Sequence, residues 1–209
     1  IARHPIFAKL PVILSEADPE GCAACSMKVN PANAYRNGTL YPAYTAAAYK
    51  RLLELADRYG INLISMLSWS FEFENRDYFE GFRSLSTNGI DKPVLNFFRM
   101  AGLMHGDRVA AAADGAMRAG QIIAAGVRGA PDIDALATAD GREAAVMVWN
   151  YHDADRPAPS SPVSVTVRGL PPAVRRVRLI HYRLADRHSN AYTVWKAMGS
   201  PQSPTQEQV

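Results

Sequence analysis

Glu16 closes the run Leu10-Pro-Val-Ile-Leu-Ser-Glu16, and Asp18 follows two residues later. A carboxylate placed directly after a short apolar run sits where catalytic groups sit in parallel α/β folds, at the C-terminal end of a strand. The plainer alternative is that Glu16 or Asp18 caps a helix or solvates a loop. A second cluster, Leu67-Ser-Trp-Ser-Phe-Glu-Phe-Glu74, mixes Trp69, Phe71 and Phe73 with Glu72 and Glu74. A flat aromatic face covers the C–H patch of a sugar ring, and carboxylates accept hydrogen bonds from its hydroxyls. The plainer alternative here is a core Trp beside two solvated glutamates. Two such clusters at equivalent strand ends favour carbohydrate chemistry more than either does alone.

The elements that must hold these groups follow from periodicity. Leu10–Leu14 and Ile61–Leu67 are short apolar runs, expected as strands buried on both faces. Between them, Ala46, Tyr49, Leu52, Leu53 and Ala56 recur at helical spacing, which predicts a helix over Tyr44–Tyr59 with Thr45 as its cap. Gly60 stands where a left-handed C-terminal cap belongs. A further helix is expected from Asp91 as cap, with Pro93 in its first turn. The order is strand–helix–strand–helix, which implies parallel strands. Two parallel strands leave open sheet edges and uncovered helix faces. Residues 1–107 are therefore expected to be the C-terminal portion of a larger doubly wound sheet or (β/α) barrel. The start at Ile1, within sequence that reads as folded, is expected to mean one piece of a longer protein.

Past residue 107 the helical signal fades. Val163, Val165 and Val167 alternate with polar residues, and Ala144–Asn150 and Val174–Tyr182 are further strand candidates. Turn clusters at Ala139-Asp-Gly-Arg, around Asp153–Pro162 and at Gly169-Leu-Pro-Pro separate them. Residues 108–209 are expected to form an antiparallel β-sandwich with one short C-terminal helix over Asn190–Met198.

Several function classes fall away. The formal charge of +3, from 23 basic and 20 acidic residues, is too balanced to argue for nucleic acid. No apolar run approaches the ~20 residues that cross a bilayer. No phosphate loop or dinucleotide fingerprint occurs, the histidines lack metal-ligand spacing, and no cofactor or metal is expected. Cys22 and Cys25 have CxxC spacing, but zinc would need a second ligand pair, so a structural or incidental role is expected and their redox state is open. Asn37-Gly-Thr39 is a formal glycosylation sequon, yet Asn-Gly is also a strong turn signal, and the turn is preferred. Tyr35 and Tyr41 beside it either line a sugar site or pack a loop. Ser189 lacks the nucleophile-elbow pattern and reads as a helix cap, with Tyr192 and Trp195 as a packing stripe.

Four stretches carry a family resemblance. Leu10–Glu16, Trp69 at the next strand end, Phe79–Met100 and His188–Pro201 resemble the closing part of glycoside hydrolase family 39, and the last two resemble its bacterial β-xylosidases. The resemblance implies a (β/α)8 barrel, with strands seven and eight supplied here, followed by an accessory β-sandwich, and a retaining glycosidase acting on xylo-oligosaccharides or aryl glycosides. It implies Glu16 as the nucleophile and Trp69 on the floor of the sugar site. Glu74, in preference to Glu72, would accept from sugar hydroxyls. The run Glu16-Ala-Asp-Pro19 is closer to the α-L-iduronidase branch, which keeps that substrate open. The family's acid/base follows an Asn, and no Asn-Glu dipeptide occurs in these residues. The missing N-terminal barrel segment is therefore the expected source of the acid/base, and residues 1–209 alone are expected to be inactive. A non-catalytic carbohydrate-binding module is the rival from another class.

Overall fold

The computed structural model describes residues 4–7 and 9–209. The segment from Ile1, read above as folded, lies in part outside the described residues. Strand β1 (Val12–Leu14) and strand β2 (Leu63–Met66) pair in parallel, with Ile13 opposite Ser65 and Leu14 opposite Met66. Helix α1 (Leu40–Tyr59) makes the crossover between them. It starts four residues before the expected Tyr44, because Pro42 lies in its first turn, where an N–H has no intrahelical partner to lose. Thr45 is not its cap: the hydroxyl is buried inside the helix and donates to the Tyr41 carbonyl at 2.9 Å. Gly60 ends the helix at φ 62° and ψ 36°, the left-handed conformation that glycine adopts without cost.

The two strands are not buried on both faces. Ile13 is 54% exposed and Ile64 57% exposed, because α1 covers one face only. Among the described residues no third strand joins this sheet. A 3-10 helix (Pro31–Asn37) leads into α1, and the short hairpin of β3 (Ser86–Thr87) and β4 (Ile90–Asp91) leads into α2 (Pro93–Ala101). Pro93 opens α2 as expected, but Lys92, not Asp91, is its N-cap residue. Asp91 stays in β4 and pairs with Arg99.

Strands β5 (Asp107–Val109), β6 (Asp132–Ala139) and β7 (Ala144–Tyr151) form one antiparallel sheet. The expected sandwich is not closed. Among the described residues, 152–190 hold no strand, and Val163, Val165 and Leu179 are 50%, 57% and 88% exposed. Alternation marks a chain able to form a strand, but a strand exists only by pairing, and these segments meet no partner edge. The short helix α3 (Ala119–Ala125) lies between β5 and β6, where no helix was expected. Helix α4 (Ala191–Ala197) closes the chain, capped by Asn190, whose side chain accepts from the Thr193 N–H; Ser189 sits just before it at φ 50°.

Helix α1 is shared between the two halves. Ala46 and Ala47 of α1, Phe97 of α2 and Trp149 of β7 form one buried cluster, flanked by Leu136 and Met147. Beside it, Lys50 reaches Asp134 at 2.6 Å and Arg51 reaches Asp132 at 2.8 Å. Both aspartates are fully buried and point inward from β6. The expected boundary at 107/108 falls within β5, and α1 packs across it.

Candidate active site

Glu16 and Trp69 hang from the same end of the parallel pair. Leu67 N–H donates to the Leu14 carbonyl at 2.9 Å, and Ala17 N–H to the Leu67 carbonyl at 2.8 Å, so the pairing runs past both strands into the loops. Asp18 then stitches the loops together. Its carboxylate accepts from the Trp69 N–H at 2.8 Å, the Ser68 hydroxyl at 2.8 Å and the Tyr41 hydroxyl at 2.6 Å. Burial, and then the hydrogen bond to Asp18, push the Tyr41 phenol far above its ordinary range, so it remains a donor.

The centre of the site is Arg83, whose side chain is completely buried. One guanidinium nitrogen donates to the Glu16 carboxylate, to Asp18 at 3.1 Å and to the Trp69 carbonyl at 3.4 Å. The other donates to the Glu20 carbonyl and to the Glu20 carboxylate at 3.3 Å. Burial alone would lower the Arg83 pKa, but the hydrogen bond to Glu16 and the charges of Asp18 and Glu20 raise it overall. Arg36, also fully buried, pairs with Glu20 and donates to the carbonyls of Cys22 and Cys25 at 2.8 Å each. Two guanidinium groups and three carboxylates thus interlock beneath the strand ends. Asp18 is 2% exposed and has its oxygens engaged by donors, whereas the Glu16 side chain is 30% exposed. Glu20 is similarly exposed at 31%, but Arg83 and Arg36 both hold it, so Glu16 has the fewest partners of the three.

The Trp69 ring is half exposed and tilts against Phe71 at 5.0 Å between centroids. Phe73 follows at 5.8 Å and stacks on Phe82 at 4.3 Å. The structure makes no direct link between Glu16 and the other two predicted glutamates. Glu72 accepts from the Ser86 hydroxyl at 2.8 Å, beside a cleft lined by Phe73, Arg76 and Lys92. Glu74 is exposed and, among the described residues, has no hydrogen-bond or ion-pair partner.

Three other sequence features resolve. Cys22 and Cys25 are joined in a disulfide. Asn37 is fully buried at the end of the 3-10 helix, and its amide donates to the Phe79 carbonyl at 2.7 Å, so the sequon asparagine is a structural residue rather than part of an Asn-Gly turn. Tyr35 packs edge-on against Tyr41 with its hydroxyl buried, and burial raises it to about 12. The residues the sequence did not single out are Arg83, Arg36, Glu20 and Lys92; their only sequence signal was that Arg83 and Lys92 fall in the stretch Phe79–Met100. Among the described residues no group of His, Cys, Asp and Glu could hold a metal ion, and no helix is long and apolar enough to cross a membrane.

A carboxylate and an indole are presented together at the C-terminal end of a parallel β–α–β pair, the end at which active sites lie in β/α barrels. The family model for glycosyl hydrolases family 39 matches residues 2–209, and the chain belongs to that family. Membership implies a glycosidase with a carbohydrate substrate, and makes the β1–α1–β2 unit part of a (β/α)8 barrel. No curated protein and no solved structure matches the chain.

Proposed function

We propose that Glu16 is the nucleophile of a retaining glycosidase that acts on β-xylosides, and that Trp69 lies under the bound sugar. The observation that carries this reading is the pairing of Glu16 with a fully buried Arg83 at the strand end next to the exposed Trp69. A nucleophilic carboxylate must be ionised when it attacks, and the guanidinium held by Asp18 and Glu20 places a positive charge against a Glu16 oxygen.

In a retaining reaction two carboxyl groups stand roughly 5–5.5 Å apart across the scissile bond. Glu16 bonds to the anomeric carbon as the bond to the leaving oxygen breaks. The second carboxyl gives its proton to that oxygen, then takes one from water, which displaces Glu16. Asp18 and Glu20 do not suit the second role, because Arg83 holds both. We assign the acid/base to barrel units outside these residues, in keeping with the uncovered Ile13 and Ile64. Glu74, which has no partner among the described residues, is a better acceptor for sugar hydroxyls than Glu72, which Ser86 engages.

The test uses the full-length protein and a dinitrophenyl fluoroxyloside, which traps the glycosyl-enzyme. Peptide mapping is expected to find the label on Glu16, and residues 1–209 alone to show no turnover of an aryl xyloside. A label on any other carboxylate removes Glu16 from the role.

A further inference from the structure

Lys92 is 1% exposed, and among the described residues no carboxylate lies within ion-pair distance of it. Lysines are almost never buried completely without a counter-charge, because desolvating an ammonium is expensive. Its contacts are neutral and local. The amine donates to the Phe82 carbonyl at 2.8 Å and to the Ser84 hydroxyl at 3.4 Å. Its backbone N–H donates to the Leu85 carbonyl at 3.0 Å. These groups flank one residue, Arg83, whose guanidinium holds Glu16.

We propose that Lys92 is the positioning residue for Arg83: its amine ties the residue before Arg83 to the residue after it and so aims the guanidinium at the Glu16 carboxylate. Its consequence for catalysis rests on the reading of Glu16 as nucleophile; the positioning itself does not. Ser84 passes the restraint on, since its hydroxyl donates to the Ser86 carbonyl at 2.7 Å. The Arg83 backbone is also held by its N–H to the Ala23 carbonyl and by its carbonyl from the Phe71 N–H, both at 3.1 Å, and Arg36 donates to the Gly81 carbonyl at 3.2 Å. The amine thus adds an inward anchor on both residues that flank the arginine.

The charge state of the amine supports this role. Burial, and then the facing charge of Arg36, lower Lys92 to about 7, with Glu72 acting in the opposite direction. Arg76, Asp77 and Glu80 are the other charged groups around the same cleft. An ammonium grips a carbonyl more strongly than a neutral amine does. The anchor is therefore firm below about pH 7 and slackens above it.

The experiment compares wild type, Lys92→Met, Lys92→Arg and Ser84→Ala in the full-length protein. Crystal structures of the first two are expected to show the Arg83 guanidinium withdrawn from Glu16 in Lys92→Met. With an aryl xyloside, Lys92→Met is expected to lose kcat on the order of a hundredfold with KM little changed, the size of effect that a small misplacement produces. Wild-type kcat/KM is expected to carry a decline through about pH 7 that is absent from Lys92→Met and Lys92→Arg. Ser84→Ala, which removes one of the two grips, gives a smaller loss and covers the case in which Lys92→Met does not fold. Val127→Ala, at a buried site away from the arginine, lowers Tm without altering the pH profile. An unchanged Arg83–Glu16 pair in Lys92→Met, or in Ser84→Ala should Lys92→Met not fold, overturns the proposal. If the fluoroxyloside fails to label Glu16 in wild type, the reading of Glu16 fails, and the crystal structures still decide the positioning.

Discussion

Arg83 and Glu16 lie 67 residues apart in the chain and meet as a fully buried cation and a partly exposed carboxylate. The asymmetry matters. Asp18 is buried among four donors and Glu20 is held by both Arg83 and Arg36, whereas Glu16 has Arg83 alone, so Glu16 can turn to a ligand with the least loss to the base of the site.

Replacing Arg83 by Met leaves Asp18 buried without its cation, while Arg36 still pairs with Glu20. Breaking a buried pair by removing one partner costs about 3–5 kcal/mol. Urea denaturation of the full-length protein is expected to show a loss of that size. Arg83→Lys recovers only part of it, because a lysine is a point charge and cannot fork between Glu16 and Glu20. Full recovery by lysine would mean that the fork geometry does not matter.

Asn37 makes a separate prediction. Its side chain is fully buried and its amide is spent on the Phe79 carbonyl. Expression in a glycosylating host is expected to add no mass at this residue. Asn37→Ala leaves that carbonyl without its donor and is expected to destabilise by about 1–3 kcal/mol. A glycan on Asn37, seen by mass spectrometry, would show that the segment opens before it folds.

The parallel unit was legible in the sequence because its signals are local. The apolar run before Glu16, the helical spacing through Leu52 and Leu53, and Gly60 each report on their own neighbourhood. Arg83 was not legible for the opposite reason. In the run Phe79-Glu-Gly-Phe-Arg83 it reads as a solvated charge, and only the fold brings Glu16, Asp18 and Glu20 around it. Strand β6 escaped in the same way. Asp132 and Asp134 occupy its inward positions and break the apolar alternation, and the Arg51 and Lys50 that neutralise them lie on a helix far back in the chain. At Val163–Val167 the error runs the other way, since alternation was present and a pairing edge was not. Charged residues that find partners across the fold are hidden from periodicity, and periodicity without a partner is not structure.

Lys92 gives a prediction about stability that runs against the one about activity. In the folded protein its amine titrates at about 7, against an ordinary value of 10.5. Between these values the unfolded chain binds a proton that the folded protein does not. Stability must then rise with pH across that window. Below about pH 7 the folded protein carries the buried charge and bears the full cost; above about 10.5 the cost has gone. Urea midpoints measured at about pH 6 and about pH 9 are therefore expected to be higher at the upper pH in wild type, with the rise missing from Lys92→Met. Activity is expected to move the other way over the same interval, because the neutral amine anchors Arg83 less firmly. A residue kept only for packing would gain stability and lose nothing as it shed its charge. Opposite slopes in the two measurements, both abolished by one substitution, would show that the buried charge is retained for the site rather than for the fold.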